Sequence, residues 1–361
     1  MAEIVRRFSV IDTKFLIITP EMQMIITEID EFKVHWRHIR GLSPQWLRSL
    51  KRVASIESIA SSNRIEGNKL TDREVEGLLS MLDRTSFKTR DEQEVAGYAK
   101  LMETVFENFE HIPLNENYIK QFHKNLLMFS EKDERHRGDY KKLPNSVAAL
   151  DHDGNEIGII FETAAPFDTP RLMAELVEWT RANLNDRYYH PLLVIALFVA
   201  AFLAIHPFQD GNGRLSRILT ALLLLKAGYS YVPYSSMESI IEDNKEGYYR
   251  ALRQTQTSMK KERHDYETWI MFFLRALQKQ KIRLQNKVAG IMDESTLSLP
   301  AISAKIMDLF NAHQRLTFAE IHNLTQINRN SMKKHMKKLV DGGCLVKHGS
   351  TKGAWYTKPP A

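Results

Sequence analysis

Cysteine is almost missing from this sequence, and its apolar runs are short. The 361 residues contain one cysteine, Cys344, which excludes an internal disulfide and a cysteine-rich zinc site. The longest apolar run, residues 192–205, is shorter than the roughly 20 residues that a membrane-spanning helix needs. The first 21 residues lack the sustained apolar stretch of a secretory signal. These absences predict a cytoplasmic protein without a membrane contact.

The composition is otherwise that of an ordinary globular protein. Apolar residues make up 43% and charged residues 26% of the chain, and its length favours two or three domains. Apolar side chains recur at helical spacing along most of residues 20–292. A turn signal at residues 151–155 and the apolar segment 156–161 after it predict a small β-hairpin, and another strand is predicted at residues 15–19. The predicted fold class is therefore mainly α.

Domain boundaries follow from residues 293–300, which are polar, end on a proline and are typical of a linker. The sequence predicts an N-terminal helical region at residues 1–88. A helical catalytic domain that carries the hairpin is predicted at residues 89–292. Residues 293–361 are predicted to form a separate domain.

The last domain carries the whole basic excess of the chain. Residues 300–361 hold ten Lys or Arg and three Asp or Glu, while the formal charge of the full chain is +6. Helices predicted at residues 301–312, 317–324 and 328–340, followed by a terminal hairpin, are typical of a winged helix-turn-helix domain. The candidate nucleic-acid contacts on the third helix are Arg329, Lys333, Lys334 and Lys337. Such domains also bind proteins or form dimers, and lysine-rich faces are often merely solvated, so DNA contact and a homodimer interface both stay open.

The most informative segment is residues 206–217, HPFQDGNGRLSR. Two glycines around an asparagine, ahead of a helix predicted to begin at Arg214, allow backbone N–H groups to converge on an anion. Arg214 and Arg217 lie three residues apart on that helix and can reach the same phosphate chain. Asp210 is suited to a Mg²⁺ ion that bridges phosphate oxygens, and His206 is placed to act as a general base. The pattern predicts phosphoryl or nucleotidyl transfer; a glycine-rich turn with a capping aspartate and two surface arginines is the structural alternative.

The same segment resembles the signature of the Fic family, HPFxDGNGRxxR, at every fixed position, and the resemblance extends over about residues 1–295. It implies a Fic-fold helical bundle that transfers AMP from ATP to a Ser, Thr or Tyr hydroxyl. It also implies that His206 is the base, Asp210 the Mg²⁺ ligand and Phe208 the anchor of the loop. The implied phosphate-binding residues are Gly211, Asn212, Gly213, Arg214 and Arg217. A kinase-like branch of the superfamily carries Lys where this chain has Gly213, so Gly213 favours nucleotidyl transfer.

Residues 62–67, SNRIEG, match the family's inhibitory pattern, [Ser/Thr]xxxE[Gly/Asn]. The resemblance implies that Ser62 and Glu66 belong to an inhibitory helix that ends at Gly67. A carboxylate paired with Arg217 would occupy the donor that the γ-phosphate needs, so we expect Glu66 to inhibit the enzyme. A helix-end glutamate before a capping glycine is the structural alternative.

Two weaker assignments depend on where segments fall within the resemblance. The predicted hairpin matches the position of the family's flap, which aligns a segment of the target protein by β-strand addition. The candidate target contacts are Ile160, Phe161 and Thr163. The candidate adenine contacts are Asn244, Tyr248 and Tyr249. Both sets could equally serve packing within the domain.

We therefore predict a protein adenylyltransferase that uses ATP and Mg²⁺, modifies another protein or itself, and is autoinhibited by Glu66. One alternative is a DNA-binding regulator that uses the Fic fold as a nucleotide sensor, and another is a de-AMPylase. The complete set of active-site residues argues against a fold that has lost its chemistry.

Overall fold

The computed structural model describes residues 11–38, 44–81, 87–150, 156–259, 261, 263–296, 301–313, 315–341, 344–349 and 353–359. The chain divides into two compact units, Met1–Leu284 and Gln285–Ala361. The boundary falls inside a long helix that continues to Thr296, so the helix runs into the linker predicted from residue 293. Residues 293–296 contain neither proline nor glycine, so nothing in this segment interrupts the helix.

The first unit is mainly helical, as predicted. Two of its helices begin at capping boxes, in which Thr71 pairs with Glu74 and Thr89 with Glu92, because a helix start leaves backbone N–H groups unpaired. In chain order its helices are α1 (Pro20–His38), α2 (Pro44–Ile65), α3 (Asp72–Leu79), α4 (Arg90–Asn108), α5 (Glu116–Leu126), α6 (Thr169–Asp186), α7 (Pro191–Ile205), α8 (Asn212–Lys226), α9 (Glu238–Asp243), α10 (Lys245–Ser258) and α11 (Glu267–Thr296).

The centre of this unit is α7, which is apolar on every side. Each residue from 192 to 205 is buried, as expected of a helix without a polar face. Helices α6 and α8 pack against it, and Trp269 donates its indole N–H to the carbonyl oxygen of Ala196 at 2.7 Å. With 15 residues α7 is too short to span a bilayer, and no other helix in the described part of the chain is long and apolar enough to do so. Since His206 follows α7 directly, the core sets the position of the candidate base.

A β-hairpin is present where the sequence predicts it. Its strands, β1 (Ser146–Leu150) and β2 (Glu156–Glu162), pair antiparallel with Val147 opposite Phe161. The register shifts twice along the pair, which bends and twists a two-stranded ribbon. The turn predicted at residues 151–155 lies outside the described residues.

The strand predicted at residues 15–19 is not formed, and that prediction was wrong. A strand needs the backbone of a neighbour, and in the described part of this unit β1 and β2 pair only with each other. The segment makes a local turn instead, in which the N–H of Leu16 donates to the carbonyl of Thr13 at 3.0 Å. Among the described residues, regular structure begins at Pro20, whose ring suits the first turn of a helix.

The second unit has its own helices, sheet and core. Its elements are α12 (Ala301–Ala312), β3 (Leu316–Thr317), α13 (Phe318–Thr325), α14 (Arg329–Asp341), β4 (Val346–His348) and β5 (Trp355–Thr357). In the sheet, β5 lies between β3 and β4 and is antiparallel to both. Phe310, Ile321 and Met336 bring one side chain from each helix into the core. The predicted helix bounds agree to within one residue, and the winged helix-turn-helix name stays an interpretation of these elements.

Candidate active site

The candidate site lies at the turn between α7 and α8. Helix α8 begins at Asn212, two residues earlier than the start predicted at Arg214. Gly211 caps this helix at φ 78°, a left-handed angle that glycine adopts without strain. Because the helix starts early, the N–H groups of Asn212 and Gly213 belong to its first turn and have no partner within the helix. The predicted phosphate loop is thus a helix N-terminus, an arrangement that binds anions.

His206 is the first residue after α7 and lies in the left-handed region, at φ 52°. Its Nδ1 is 3.4 Å from the carbonyl oxygen of Leu203. Since a carbonyl only accepts, we assign the proton to Nδ1, which leaves Nε2 with a free lone pair. Burial lowers the pKa of His206 to about 4, and the Lys141 ammonium adds to that effect. The imidazole is therefore neutral at pH 7, the form that a general base needs.

Asn212 and Phe208 brace the turn from inside. Asn212 Oδ1 accepts from the N–H of Phe208 at 2.9 Å, and Asn212 Nδ2 donates to the carbonyl of the same residue at 2.7 Å. The Phe208 ring is fully buried, as an anchor requires. The Asn212 side chain is thus committed to the loop, and its backbone N–H is the part left for an anion.

His123 completes this brace, a role that the sequence did not predict. Its ring stacks on Phe208 with 3.9 Å between centroids and 11° between planes. Its Nδ1 accepts from the N–H of Gly138 at 2.8 Å, so Nε2 carries the proton and donates to the carbonyl of Asp210 at 3.0 Å. Burial lowers the pKa of His123 to about 4, which keeps it neutral. No spacing motif connects residue 123 to the loop, so only the fold reveals the contact.

Arg214 is held by acidic side chains from two elements. Its Nη1 lies 3.0 Å from Glu94 Oε2 of α4, and its Nη2 lies 3.5 Å from Asp210 Oδ1. Arg90 of α4 reaches the other oxygen of Asp210 at 3.1 Å. Burial alone would raise the pKa of Asp210, but Arg214 and Arg90 outweigh it and hold that pKa below its ordinary value. Asp210 is therefore ionised, as a Mg²⁺ ligand has to be.

The donor set fits a Mg²⁺ ion only in company with phosphate. Among the residues that the structure describes, no three His, Cys, Asp or Glu side chains meet to hold a metal ion. Mg²⁺ is often bound by one or two carboxylates together with substrate phosphates, and Asp210 supplies one carboxylate beside the start of α8. A nucleotide-bound ion is compatible with this arrangement.

Arg217 is paired with the end of α2. Its Nη2 lies 2.8 Å from Glu66 Oε1, and its Nε donates to the Ser62 hydroxyl at 2.7 Å. Burial opposes the charge of Arg217, but Glu66 outweighs it and raises the pKa of the guanidinium. Gly67 turns the chain after α2 at φ 96°. The two residues of the predicted inhibitory pair, Glu66 and Arg217, are thus in direct contact.

The Glu66 carboxylate also lies against Gly213. A Cβ at position 213 would collide with the Glu66 carboxylate, so the missing side chain makes room for it at the first turn of α8. An acidic group is favoured at a helix N-terminus for the same reason that a phosphate is. Two buried donors, Arg214 Nε and Arg217 Nη1, have no hydrogen-bond acceptor among the described residues. The Glu66 carboxylate therefore lies at the first turn of α8, a position that favours an anion.

Residues 113–224, from just ahead of α5 into α8, match the model of the Fic/DOC family. The chain contains a Fic domain. Proteins named protein adenylyltransferase Fic from Drosophila sechellia and Drosophila melanogaster are each 29% identical to it over 185 residues, which is 51% of this chain and 35% of theirs. The chain therefore spans about a third of the length of these curated relatives.

Solved structures of Fic proteins have a similar architecture. A Fic family protein from Desulfovibrio desulfuricans has a TM-score of 0.61 at 22% identity, over 96% of this chain and 98% of that one. A Fic domain containing signaling protein from Bacteroides thetaiotaomicron has a TM-score of 0.56 at 25% identity, over 72% and 93%. Fic-1 from C. elegans has a TM-score of 0.58 at 18% identity, over 76% and 74%. The mainly helical Fic fold expected from the sequence is confirmed.

The three predicted adenine contacts of the Fic domain have different surroundings. Asn244 is exposed at the junction of α9 and α10. Tyr248 is buried, packs edge-on against Trp269, and has its pKa raised to about 12 by burial. Tyr249 is half-buried and packs against Tyr248, with 5.2 Å between ring centroids. Tyr248 belongs to the core beside Arg217, which leaves Asn244 and Tyr249 as the more accessible two.

The predicted target contacts lie in and after the second strand of the hairpin. Ile160 and Phe161 are part of β2, and Thr163 follows it. The Thr163 hydroxyl donates to the carbonyl of Asn145 at 2.8 Å and accepts from the Lys141 ammonium at 2.7 Å. Thr163 is thus engaged inside the Fic domain.

The predicted nucleic-acid contacts lie on α14 of the second unit. The exposed residues of this helix include Arg329, Lys333, Lys334 and Lys337. Its buried residues are Met332, Met336 and Leu339. Helix α14 is therefore amphipathic, with a basic face towards solvent.

Proposed function

We propose that the Fic domain of this chain transfers AMP from ATP to a hydroxyl group of a protein, either another protein or itself. One observation carries the proposal. The neutral imidazole of His206, with a free Nε2, shares a single turn with a helix N-terminus that is backed by Arg214 and Arg217. The turn thus combines a base for a hydroxyl with a binding site for a polyphosphate.

In the proposed reaction, His206 Nε2 accepts the proton of the target hydroxyl. The hydroxyl oxygen forms a bond to the α-phosphorus of ATP, the bond from that phosphorus to the oxygen bridging the β-phosphate breaks, and pyrophosphate leaves. The N–H groups of the first turn of α8 and the unpaired donors of Arg214 and Arg217 bind the polyphosphate. Mg²⁺, bound with the nucleotide at Asp210, would neutralise part of the phosphate charge.

Position 213 supports transfer of the nucleotide over transfer of the γ-phosphate. A lysine at this position would resemble the kinase-like branch of the superfamily. This chain has Gly213 instead, and the Glu66 carboxylate occupies the space that a side chain would take. The Drosophila relatives bear the name protein adenylyltransferase, which points to the same reaction.

We further propose that Glu66 keeps the enzyme inhibited. Its carboxylate accepts a hydrogen bond from Arg217 Nη2 at 2.8 Å and lies against Gly213. It therefore occupies two contacts that a bound polyphosphate would need. A nucleotide that enters while Glu66 is in place meets a like charge and is displaced from the geometry for attack at its α-phosphorus. The protein at rest would then be inactive.

The test compares wild type, Glu66→Gly, His206→Ala and a control, His111→Ala, which removes an exposed histidine. Each is incubated with labelled ATP, CTP, GTP or UTP, alone and with cell extract, and products are read by intact-mass spectrometry. A charge-assisted hydrogen bond contributes roughly 1.5–3 kcal/mol, so we expect Glu66→Gly to raise AMP transfer about 10- to 100-fold. His206→Ala should abolish transfer in either background. Folded Glu66→Gly protein that adds no nucleotide would overturn the proposal.

The same protocol distinguishes removal of AMP from its addition. A protein already carrying AMP is mixed with wild type and with Glu66→Gly. Faster loss of AMP with wild type would identify de-AMPylation as the main activity, with Glu66 as a participant.

A second candidate function, DNA binding, is favoured by the exposed basic face of α14. Arg329, Lys333 and Lys337 recur every four residues, so they share one side of the helix, and all three are exposed. Each lysine or arginine that meets a phosphate contributes about 0.9 to the slope of log K against log salt. Replacing these three by Ala in the full chain should lower that slope by up to about 3 and leave AMP transfer unchanged. The matched control replaces three exposed lysines of the first unit, Lys69, Lys100 and Lys279.

A further inference from the structure

Lys141 is a buried lysine at the base of the hairpin, a placement that is rare for this residue type. Its ammonium donates to the carbonyl oxygen of Ile205 at 2.9 Å, to Asn145 Oδ1 at 2.8 Å and to Thr163 Oγ1 at 2.7 Å. An ammonium has three N–H groups, so these contacts replace the water that it gives up. Burial lowers the pKa of Lys141 to about 8, so it is mostly charged at pH 7.

The three oxygens belong to three different segments. Ile205 ends α7, Asn145 stands directly ahead of β1, and Thr163 stands directly after β2. A cation at the C-terminal end of a helix is favourable because it meets the negative end of the helix dipole. Lys141 therefore connects both ends of the hairpin to the end of the helix that precedes the candidate base.

The same contacts hold the backbone on both sides of His206. The N–H of Lys141 donates to the carbonyl oxygen of Pro207 at 2.8 Å. Asn145 Nδ2 donates to the carbonyl oxygen of Phe208 at 2.8 Å. Together with the ammonium on Ile205, these bonds fix the carbonyls before and after His206. The left-handed angle of His206 is thus held from the side of the hairpin.

The charge of Lys141 acts on His206 as well. The carboxylates of Glu66 and Asp210 favour the imidazolium, whereas burial and the Lys141 ammonium oppose it and leave the imidazole neutral. The Lys141 ammonium therefore has two effects on the turn of His206. It orders the backbone, and it disfavours a proton on the imidazole.

We propose that Lys141 is a positioning residue that couples the hairpin to the turn of His206, so that a target segment added to β2 is presented at a set distance from His206 Nε2. That the hairpin presents a target rests on the proposed function. The contacts of Lys141 with the hairpin and with the end of α7 do not. Thr163, predicted as a target contact, belongs to the coupling.

The first test is independent of any enzymatic activity. NMR spectra of the full chain are compared for wild type, Lys141→Met, Lys141→Arg and Lys142→Met, the last a control at a neighbouring lysine whose side chain is 83% exposed. The His206 resonances are assigned with His206→Ala. We expect Lys141→Met to shift the amides of residues 205–208 and to raise the pKa of His206, because a cation that disfavours the imidazolium is lost. Lys142→Met should do neither, and Lys141→Arg should restore the pKa.

The second test measures AMP transfer in the Glu66→Gly background by intact mass, with automodification as the reaction. Misplacing a base by about 1 Å can cost around 100-fold in rate, so we expect kcat to fall at least tenfold in Lys141→Met while KM for ATP stays the same. If Lys141→Met does not fold, Thr163→Val, which removes one acceptor at nearly constant shape, is measured in the same two ways.

The two tests separate failure of the inference from failure of the proposed function. If Lys141→Met, like Lys142→Met, changes neither the amide resonances of residues 205–208 nor the pKa of His206, the coupling is absent and the inference is overturned. An unchanged kcat in Lys141→Met also overturns it. If no form transfers AMP while the NMR changes appear, the proposed function fails and the coupling stands.

Discussion

The two arginines of the site lie three residues apart on one helix, yet their carboxylate partners differ in kind. Arg214 meets Glu94, which is 8% exposed and sits within α4. Arg217 meets Glu66, which is 31% exposed and lies in the turn after α2. Either carboxylate leaves a buried guanidinium behind when it moves, but Glu66 can turn into water from its loop, whereas Glu94 is held inside a packed helix. The same ion-pair chemistry thus gives a contact fixed by packing at Arg214 and one that can open at Arg217.

The largest expected effect is on stability, and it separates these two pairs. Removing one partner of a buried ion pair costs about 3–5 kcal/mol, so Glu94→Gln should lower the free energy of unfolding by close to that amount. Glu66→Gln removes the charge of a partly exposed partner and should cost about 1.5–3 kcal/mol, the contribution of one charge-assisted hydrogen bond. Urea unfolding of both variants measures the difference. Equal losses would show that both pairs are structural and would break the comparison.

The next effect concerns the space that Glu66 occupies. Gly213→Ala places a methyl group where the carboxylate lies, so Glu66 has to move away from Arg217. Weakening that contact by about 1.4 kcal/mol corresponds to a tenfold rise in AMP transfer, which intact mass can follow. The Glu66→Gly/Gly213→Ala double variant is the control, because it reports any direct effect of the methyl group on ATP. If Gly213→Ala raises AMP transfer by the same factor when it is added to Glu66→Gly, the gain does not depend on Glu66.

The smallest effect concerns what holds the end of α2 in place. Arg64 pairs with Glu242 at 2.6 Å and with Asp72 at 2.8 Å, and both contacts are partly exposed. Arg64→Met should loosen this end by about 0.5–1 kcal/mol and raise AMP transfer by about two- to fivefold. Arg52→Met breaks a more exposed pair of the same helix and is the control. Equal rates in the two variants would show that Arg64 has no part in inhibition.

The sequence could predict the turn at His206 because its chemical groups are consecutive and their spacing is itself the signal. It could not predict the residues that hold the turn. Glu94, His123 and Lys141 come from 64 to 120 residues earlier than their partners, and none belongs to a spacing motif. Their roles arise from packing, which short-range patterns do not encode.

The errors in the fold have similar causes. Residues 15–19 have the side chains of a strand but find no strand beside them in the described part of the first unit. At the predicted linker the polar residues 293–296 continue α11, because they contain nothing that interrupts a helix. Hydrophobic periodicity was a sound guide wherever a segment buried one face, as α14 shows.

The left-handed backbone of His206 has a consequence for the evolution of the site. A residue with a Cβ at φ 52° costs the fold roughly 1–2 kcal/mol, and glycine would cost almost nothing there. Backbone strain alone would therefore favour His206→Gly, the very change that removes the proposed base. If His206 is the base that we propose, position 206 is a point of trade-off between backbone strain and activity.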